Sequence, residues 1–195
     1  MKKTVFAILT LTIVAVFILS PISYAQPYGK GLYGITKYGS QTSLTINTDG
    51  NITIPNITPT QFGTIGTGIS TVTVESTDVM GYKLYISVYP NIYMNNLGYH
   101  IQPSANTYTY PTGVSTVPSG GKNLEVDHWG FNTDGGANFA GLTSTSLDNL
   151  IYSTNAPTTG AGHDTTVMYG LNVDFAAPAG QYTAQVIYTA VPQTD

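Results

Sequence analysis

Apolar residues in this chain recur at every second position, in short runs broken by turn residues, and that spacing constrains the fold more than any other feature. A strand turns successive side chains to opposite faces, so a period of two marks a sheet with one face buried. Tyr82, Leu84, Ile86 and Val88 alternate with Lys83, Tyr85, Ser87 and Tyr89. Val167, Tyr169, Leu171, Val173 and Phe175 share one face, and beyond the turn at 176–180, Tyr182, Ala184, Val186 and Tyr188 share another. Being adjacent in sequence, these last two runs are expected to pair as a hairpin. Residues 41–46 and 51–54 flank Asn47-Thr48-Asp49-Gly50. An Asp-Gly pair between alternating runs predicts a second hairpin there. Residues 71–75 read as a strand, and 98–101, 124–131 and 150–153 are weaker candidates. The Pro-, Ser-, Thr- and Gly-rich stretches 103–122 and 154–164 read as exposed loops. Helical periodicity is scarce. The fold class is all-β: a single antiparallel β-sandwich, Ig-like or jelly-roll-like, of roughly eight to ten strands.

The N-terminus is organised differently. Lys2 and Lys3 precede an apolar stretch over residues 4–19, Pro21 breaks any continuing helix, and Ser23-Tyr24-Ala25 sets small residues where a signal peptidase reads. Residues 1–25 are therefore expected to be a cleavable secretory signal peptide, with the mature chain starting at Gln26. An apolar run of about 16 residues falls short of the roughly 20 needed to cross a bilayer, so no stable membrane span is expected after cleavage. Residues 26–40 form a Gly- and Tyr-rich leader (Tyr28, Gly29, Gly31, Tyr33, Gly34, Tyr38, Gly39), a flexible segment or a candidate donor strand that orders against another chain. Residues 41–195 make the sandwich domain. This organisation predicts an extracellular or cell-surface location.

Without the signal, four lysines face ten carboxylates, a net charge of −6, and the chain has no arginine. That balance argues against nucleic acid, anionic membranes and phosphate chemistry. Cysteine is absent too, so an exported fold of this sequence must be held by its core and its backbone ladders. Tyrosine supplies 15 of the aromatic residues, and its amphipathic ring suits sheet faces and association surfaces.

Two stretches carry a resemblance. Thr71-Val72-Thr73-Val74-Glu75 followed by Gly81-Tyr82-Lys83-Leu84-Tyr85-Ile86, and Leu171 through Phe175 followed by Pro178-Ala179-Gly180-Gln181-Tyr182-Thr183-Ala184-Gln185-Val186-Ile187-Tyr188-Thr189, resemble the early strand and closing hairpin of WxL-type bacterial surface domains. The likeness spans residues 62–191. Tyr82-Lys83-Leu84 stands where that family has Trp-x-Leu, so wall attachment through that tryptophan does not carry over. Exported pilin-like and biofilm-fibre subunits look similar at this level, and that likeness implies that an extended segment of one subunit completes the sheet of the next.

Chemistry-bearing residues are sparse. His100, His128 and His163 are the histidines, with Asp127 beside His128 and Asp164 beside His163. Neighbours on a strand point to opposite faces, which favours ordinary polar positions over a metal or catalytic pair. Residues 47–50 and 132–135 both read Asn-Thr-Asp-Gly, but neither is followed by the further oxygen ligand and bidentate Glu of a calcium loop, so turn chemistry accounts for both. Glu75 with Asp78, and Glu125 with Asp127, are carboxylate pairs that a glycosidase could use. There is no Gly-x-Ser-x-Gly elbow. No catalytic residue, metal or cofactor is assigned. Trp129 is the sole tryptophan, a core residue or a stacking platform for sugars. Asn51 and Asn56 head Asn-Ile-Thr glycosylation sequons. The expected function is a non-enzymatic structural or adhesive surface protein, self-assembling by strand addition. The alternative is a carbohydrate- or cell-wall-binding sandwich module, so the partners are further copies of the chain or glycan ligands.

Overall fold

The computed structural model of the chain describes residues 9–15, 42–115, 123–158 and 160–193, so the expected cleavage site before Gln26 and the leader at 26–40 lie outside the described residues. The described residues are all-β and contain no helix, hence none long and apolar enough to cross a membrane. The strands are β1 (Leu9–Ala15), β2 (Leu44–Thr48), β3 (Ile52–Ile54), β4 (Thr64–Ser76), β5 (Tyr82–Val88), β6 (Met94–Asn96), β7 (Tyr99–Pro103), β8 (Thr107–Thr109), β9 (Gly113–Ser115), β10 (His128–Asn132), β11 (Asn149–Thr154), β12 (His163–Val173) and β13 (Thr183–Pro192).

Two layers face each other, as expected for a sandwich. One contains β11, β5, β13, β1 and β3; the other runs β10, β12, β4, β2. The β6–β7 hairpin links them along one side, with Asn95 of β6 opposite Thr183 and β7 beside β10. The pairing is mixed rather than wholly antiparallel, because β1 runs parallel to β13 and β7 parallel to β10. The period-two residues supply the interior: Tyr82, Leu84, Ile86, Val88, Val167, Tyr169, Leu171, Val173, Tyr182, Val186 and Tyr188 are all fully buried.

Both expected hairpins are corrected. β12 and β13 lie in opposite layers: β12 pairs with β10 and β4, while β13 pairs with β5, β6 and β1. Their inner faces meet across the core, which satisfies the same alternation that a hairpin would. The crossing follows Val173, leaving Phe175 exposed instead of inward, and the Tyr182 hydroxyl donates to the Pro178 carbonyl at 2.8 Å to hold the turn. Likewise β2 pairs with β4 and β3 with β1, so the Asp49-Gly50 turn passes the chain between layers. Gly50 adopts φ +82°, and the Asp49 carboxylate accepts the Thr71 amide at 2.6 Å, anchoring the turn to β4. Within the stretch read as loop from 103 to 122, β8 and β9 form a short separate hairpin.

The outer face of the β12 layer is also covered. A side chain at Gly170 would meet the Phe139 ring at 2.7 Å, and the Asn172 amide donates to the Leu124 carbonyl at 2.8 Å. The segment before and after β10 thus packs over β12, and Gly170 is what admits the ring.

Candidate functional site

The most distinctive feature of the fold is a slot in one sheet, between β13 and β3. β13 has β5 along one edge from Val186 to Pro192. Along its other edge, Thr183 to Tyr188 pair in parallel with Thr10 to Ala15 of β1. The far edge of β1 pairs antiparallel with β3, Leu9 opposite Ile54 and Leu11 opposite Ile52. β1 is the partner that β3 has among the described ladders. Without it, a run of six positions on β13 and all of β3 would present unpaired backbone groups, and such an edge is a template for another strand.

The register gives the slot a chemical character. Ala184, Val186 and Tyr188 are the core-facing positions of β13, and opposite them stand Leu11, Ile13 and Ala15. Across β3, the core residues Ile52 and Ile54 pair with Leu11 and Leu9. A strand filling the slot therefore needs an apolar residue at alternate positions. Residues 4–19 read in the sequence as an apolar signal segment, whereas residues 9–15 stand in the sheet as β1. The signal that could have found β1 is its own alternation, Leu9, Leu11 and Ile13 against Thr10 and Thr12.

Of the residues singled out in the sequence, His163, Asp164 and Asp134 line one cleft, and the others do not converge with them. Trp129 is fully buried on β10, and its indole N–H donates to the Ile92 carbonyl at 2.9 Å. It is part of the core and offers no face to a sugar. Asn51 and Asn56 are both exposed, on either side of β3. His100 pairs through Nδ1 with the Asn95 side chain, His128 Nδ1 donates to the Val126 carbonyl at 2.8 Å, and the His163 ring stacks on Tyr152 at 3.9 Å. No group of three or more His, Cys, Asp or Glu able to hold a metal occurs among the described residues.

The carboxylates are likewise engaged locally. Glu125 accepts from the Ser104 hydroxyl at 3.2 Å, and Asp127 from the Tyr99 hydroxyl at 3.1 Å. Burial, and next the bond to Asp127, push the Tyr99 hydroxyl up to a pKa of about 12. Asp78 caps the Met80 amide at 2.9 Å, while Glu75 is exposed on β4. Asp134 accepts the Gly136 amide at 2.9 Å with Gly135 at φ +67°, the geometry of a turn.

The chain matches no family model, no curated protein and no solved structure.

Proposed function

We propose that the chain is a non-enzymatic structural or adhesive protein of the cell exterior, and that copies join by strand addition. The observation that supports this reading is the slot between β13 and β3, filled by Leu9–Ala15. Those residues fall inside the segment that the sequence marks for removal on export. A mature chain starting at Gln26 would fold with the slot open, and burying its apolar floor and pairing its edges would favour a replacement strand.

The replacement is the leader of a second copy, in which Tyr33 and Ile35 supply apolar residues at two alternate positions. Residues 42–48 are engaged in their own fold, Leu44 opposite Ser76 on β4 and the Ser43 amide bonded to the Thr77 hydroxyl, so the donor is confined to residues 26–41. Sixteen residues extended at about 3.3 Å each reach roughly 50 Å, ample to enter a neighbour. The scarcity of charged side chains, 8% of the chain, leaves few groups to oppose edge pairing. Strand exchange repeated head to tail gives a filament, since a heterologous contact does not close on itself unless the rotation allows it.

The test uses the exported protein with its N-terminus determined by mass spectrometry. Light scattering and electron microscopy should show oligomers or filaments that disappear when residues 26–41 are deleted. The chain has no cysteine, so disulfides can be introduced cleanly. Thr183→Cys and Ile187→Cys are each combined with a cysteine scan of the leader. Insertion in the orientation of β1 predicts that the leader position linking to residue 187 lies four residues after the one linking to 183, in trans. The reverse order would discard the slot geometry, and a monomer at high concentration would discard self-assembly.

A further inference from the structure

A second feature lies away from the slot, on the side where the β8–β9 hairpin approaches β11 and β12. An open cleft of about 430 Å³ is lined there by Tyr108, Tyr110, Tyr152, His163, Asp134 and Asp164, among others. Tyr152 is a hub of rings: His163 stacks on it, Tyr82 tilts against it at 5.7 Å, and Tyr110 meets it edge-on at 6.3 Å. The hydroxyls fix the rings. Tyr110 donates to the Ser153 carbonyl at 3.2 Å, and Tyr108 shares a hydrogen bond of 2.6 Å with Thr133. Tyr108, Tyr110, Tyr152 and His163 are all half-buried, so each keeps part of its ring toward solvent.

Two exposed carboxylates stand at the rim. Asp164 accepts from Thr73 at 2.6 Å through Oδ1, and Asp134 holds the Gly136 amide through its Oδ1. Each retains a second oxygen. Among the described residues, no lysine or arginine lines the cleft. Thr165, which also lines it and is 7% exposed, has a hydroxyl with no hydrogen-bond partner, and the buried Tyr82 hydroxyl beneath the aromatic cluster lacks one too. An unpaired buried hydroxyl is costly, and a water entering with a ligand beside Thr165 would relieve that cost, whereas the Tyr82 hydroxyl lies outside the lining.

We propose that this cleft binds a short stretch of uncharged glycan. A sugar presents an apolar C–H face and a rim of hydroxyls. Aromatic rings held rigidly at a half-exposed angle match the face, and carboxylate oxygens accept from the hydroxyls. The volume lies within the range of about 300–1,000 Å³ usual for small-ligand pockets. Two carboxylates without a compensating cation select against acidic glycans. The site is independent of strand addition, and it relocates sugar recognition from Trp129 to tyrosines displayed on the surface.

The experiment is titration of the exported protein with cellohexaose, N,N′-diacetylchitobiose and mannohexaose as neutral probes, and oligogalacturonate as the acidic one, followed by calorimetry. At least one neutral probe should bind while oligogalacturonate does not. Tyr110→Ala should weaken binding at least tenfold. Because that variant could disturb the β8–β9 hairpin, Asp134→Asn serves beside it, since an Asn can keep the turn while losing the charge; a severalfold loss is expected. Binding to no neutral probe, equal binding of the acidic one, or affinity unchanged in both variants would overturn the assignment.

Discussion

Tyr169 on β12 and Tyr188 on β13 meet hydroxyl to hydroxyl across the interior, both fully buried, and so tie the two layers together. Each hydroxyl is the other's answer to burial. Removing the Tyr188 hydroxyl strands that of Tyr169, removing that of Tyr169 leaves Tyr188 with only Ser70 beside it, and removing both leaves two well-packed phenyl rings. Tyr169→Phe or Tyr188→Phe should each lower stability by about 1–3 kcal/mol, and the double variant should cost less than the two added together. Urea unfolding of the three variants gives the comparison; strictly additive costs would show that the pair does not act as a unit.

The same burial makes the fold sensitive to alkali. Burial is the first cause raising the hydroxyls of Tyr82, Tyr99, Tyr108, Tyr152, Tyr169, Tyr182 and Tyr188 above the usual value of 10, Tyr99 to about 12. Above pH 10 the unfolded chain loses these protons while the folded chain keeps them, so the unfolded state binds fewer protons and stability falls as pH rises. The contribution is intact below pH 10 and is lost through about pH 12 and beyond. Tyrosinate absorbance from the fully buried Tyr82, Tyr169, Tyr182 and Tyr188 should therefore rise together with unfolding. A single smooth titration with the fold intact would refute this.

Trp129 offers a simple check of the core. Being fully buried with its indole N–H bonded to a backbone carbonyl, it should emit at short wavelength and resist quenching by iodide. Trp129→Ala should destabilise the protein by about 3–5 kcal/mol, as large-to-small core changes do. Long-wavelength emission from the folded protein, quenched readily, would return Trp129 to the surface.

The strands were legible because alternation is a local signal: Tyr82 to Val88, Val167 to Val173 and Tyr182 to Tyr188 each announce their buried face without reference to a partner. Partnership was not legible for the same reason. The inward residues of β12 are satisfied equally by lying beside β13 or by facing it across the core, and the structure has them face it. The Asp49-Gly50 turn illustrates the point again, since its chemistry specifies a reversal of the chain and not the layer in which the chain continues. β1 was hidden because an apolar run after two lysines reads first as a targeting segment, and the slot was hidden with it. The tyrosine cleft gathers Tyr108, Tyr110, Asp134, Tyr152, His163 and Asp164 from distant parts of the chain, and no spacing in the sequence could join them.

One glycine carries the passage from β4 in one layer to β5 in the other. Gly81 sits at φ +78°, its amide donates to the Asp78 carbonyl at 3.0 Å, and a side chain there would lie 1.9 Å from the Thr154 carbonyl oxygen. Gly50 has nearly the same backbone angle, φ +82°, but nothing within 4 Å of where a side chain would stand. The pair separates strain from collision. Gly50→Ala should cost about 1 kcal/mol, the expense of a left-handed backbone alone. Gly81→Ala must also push β5 away from the end of β11, which pairs with it from Asn149 to Thr154. Its cost should exceed about 2 kcal/mol, because a backbone oxygen held in a ladder cannot step aside as a flexible side chain can. Thermal unfolding of the two variants side by side measures the difference, and equal destabilisation would mean that the Thr154 segment yields without resistance.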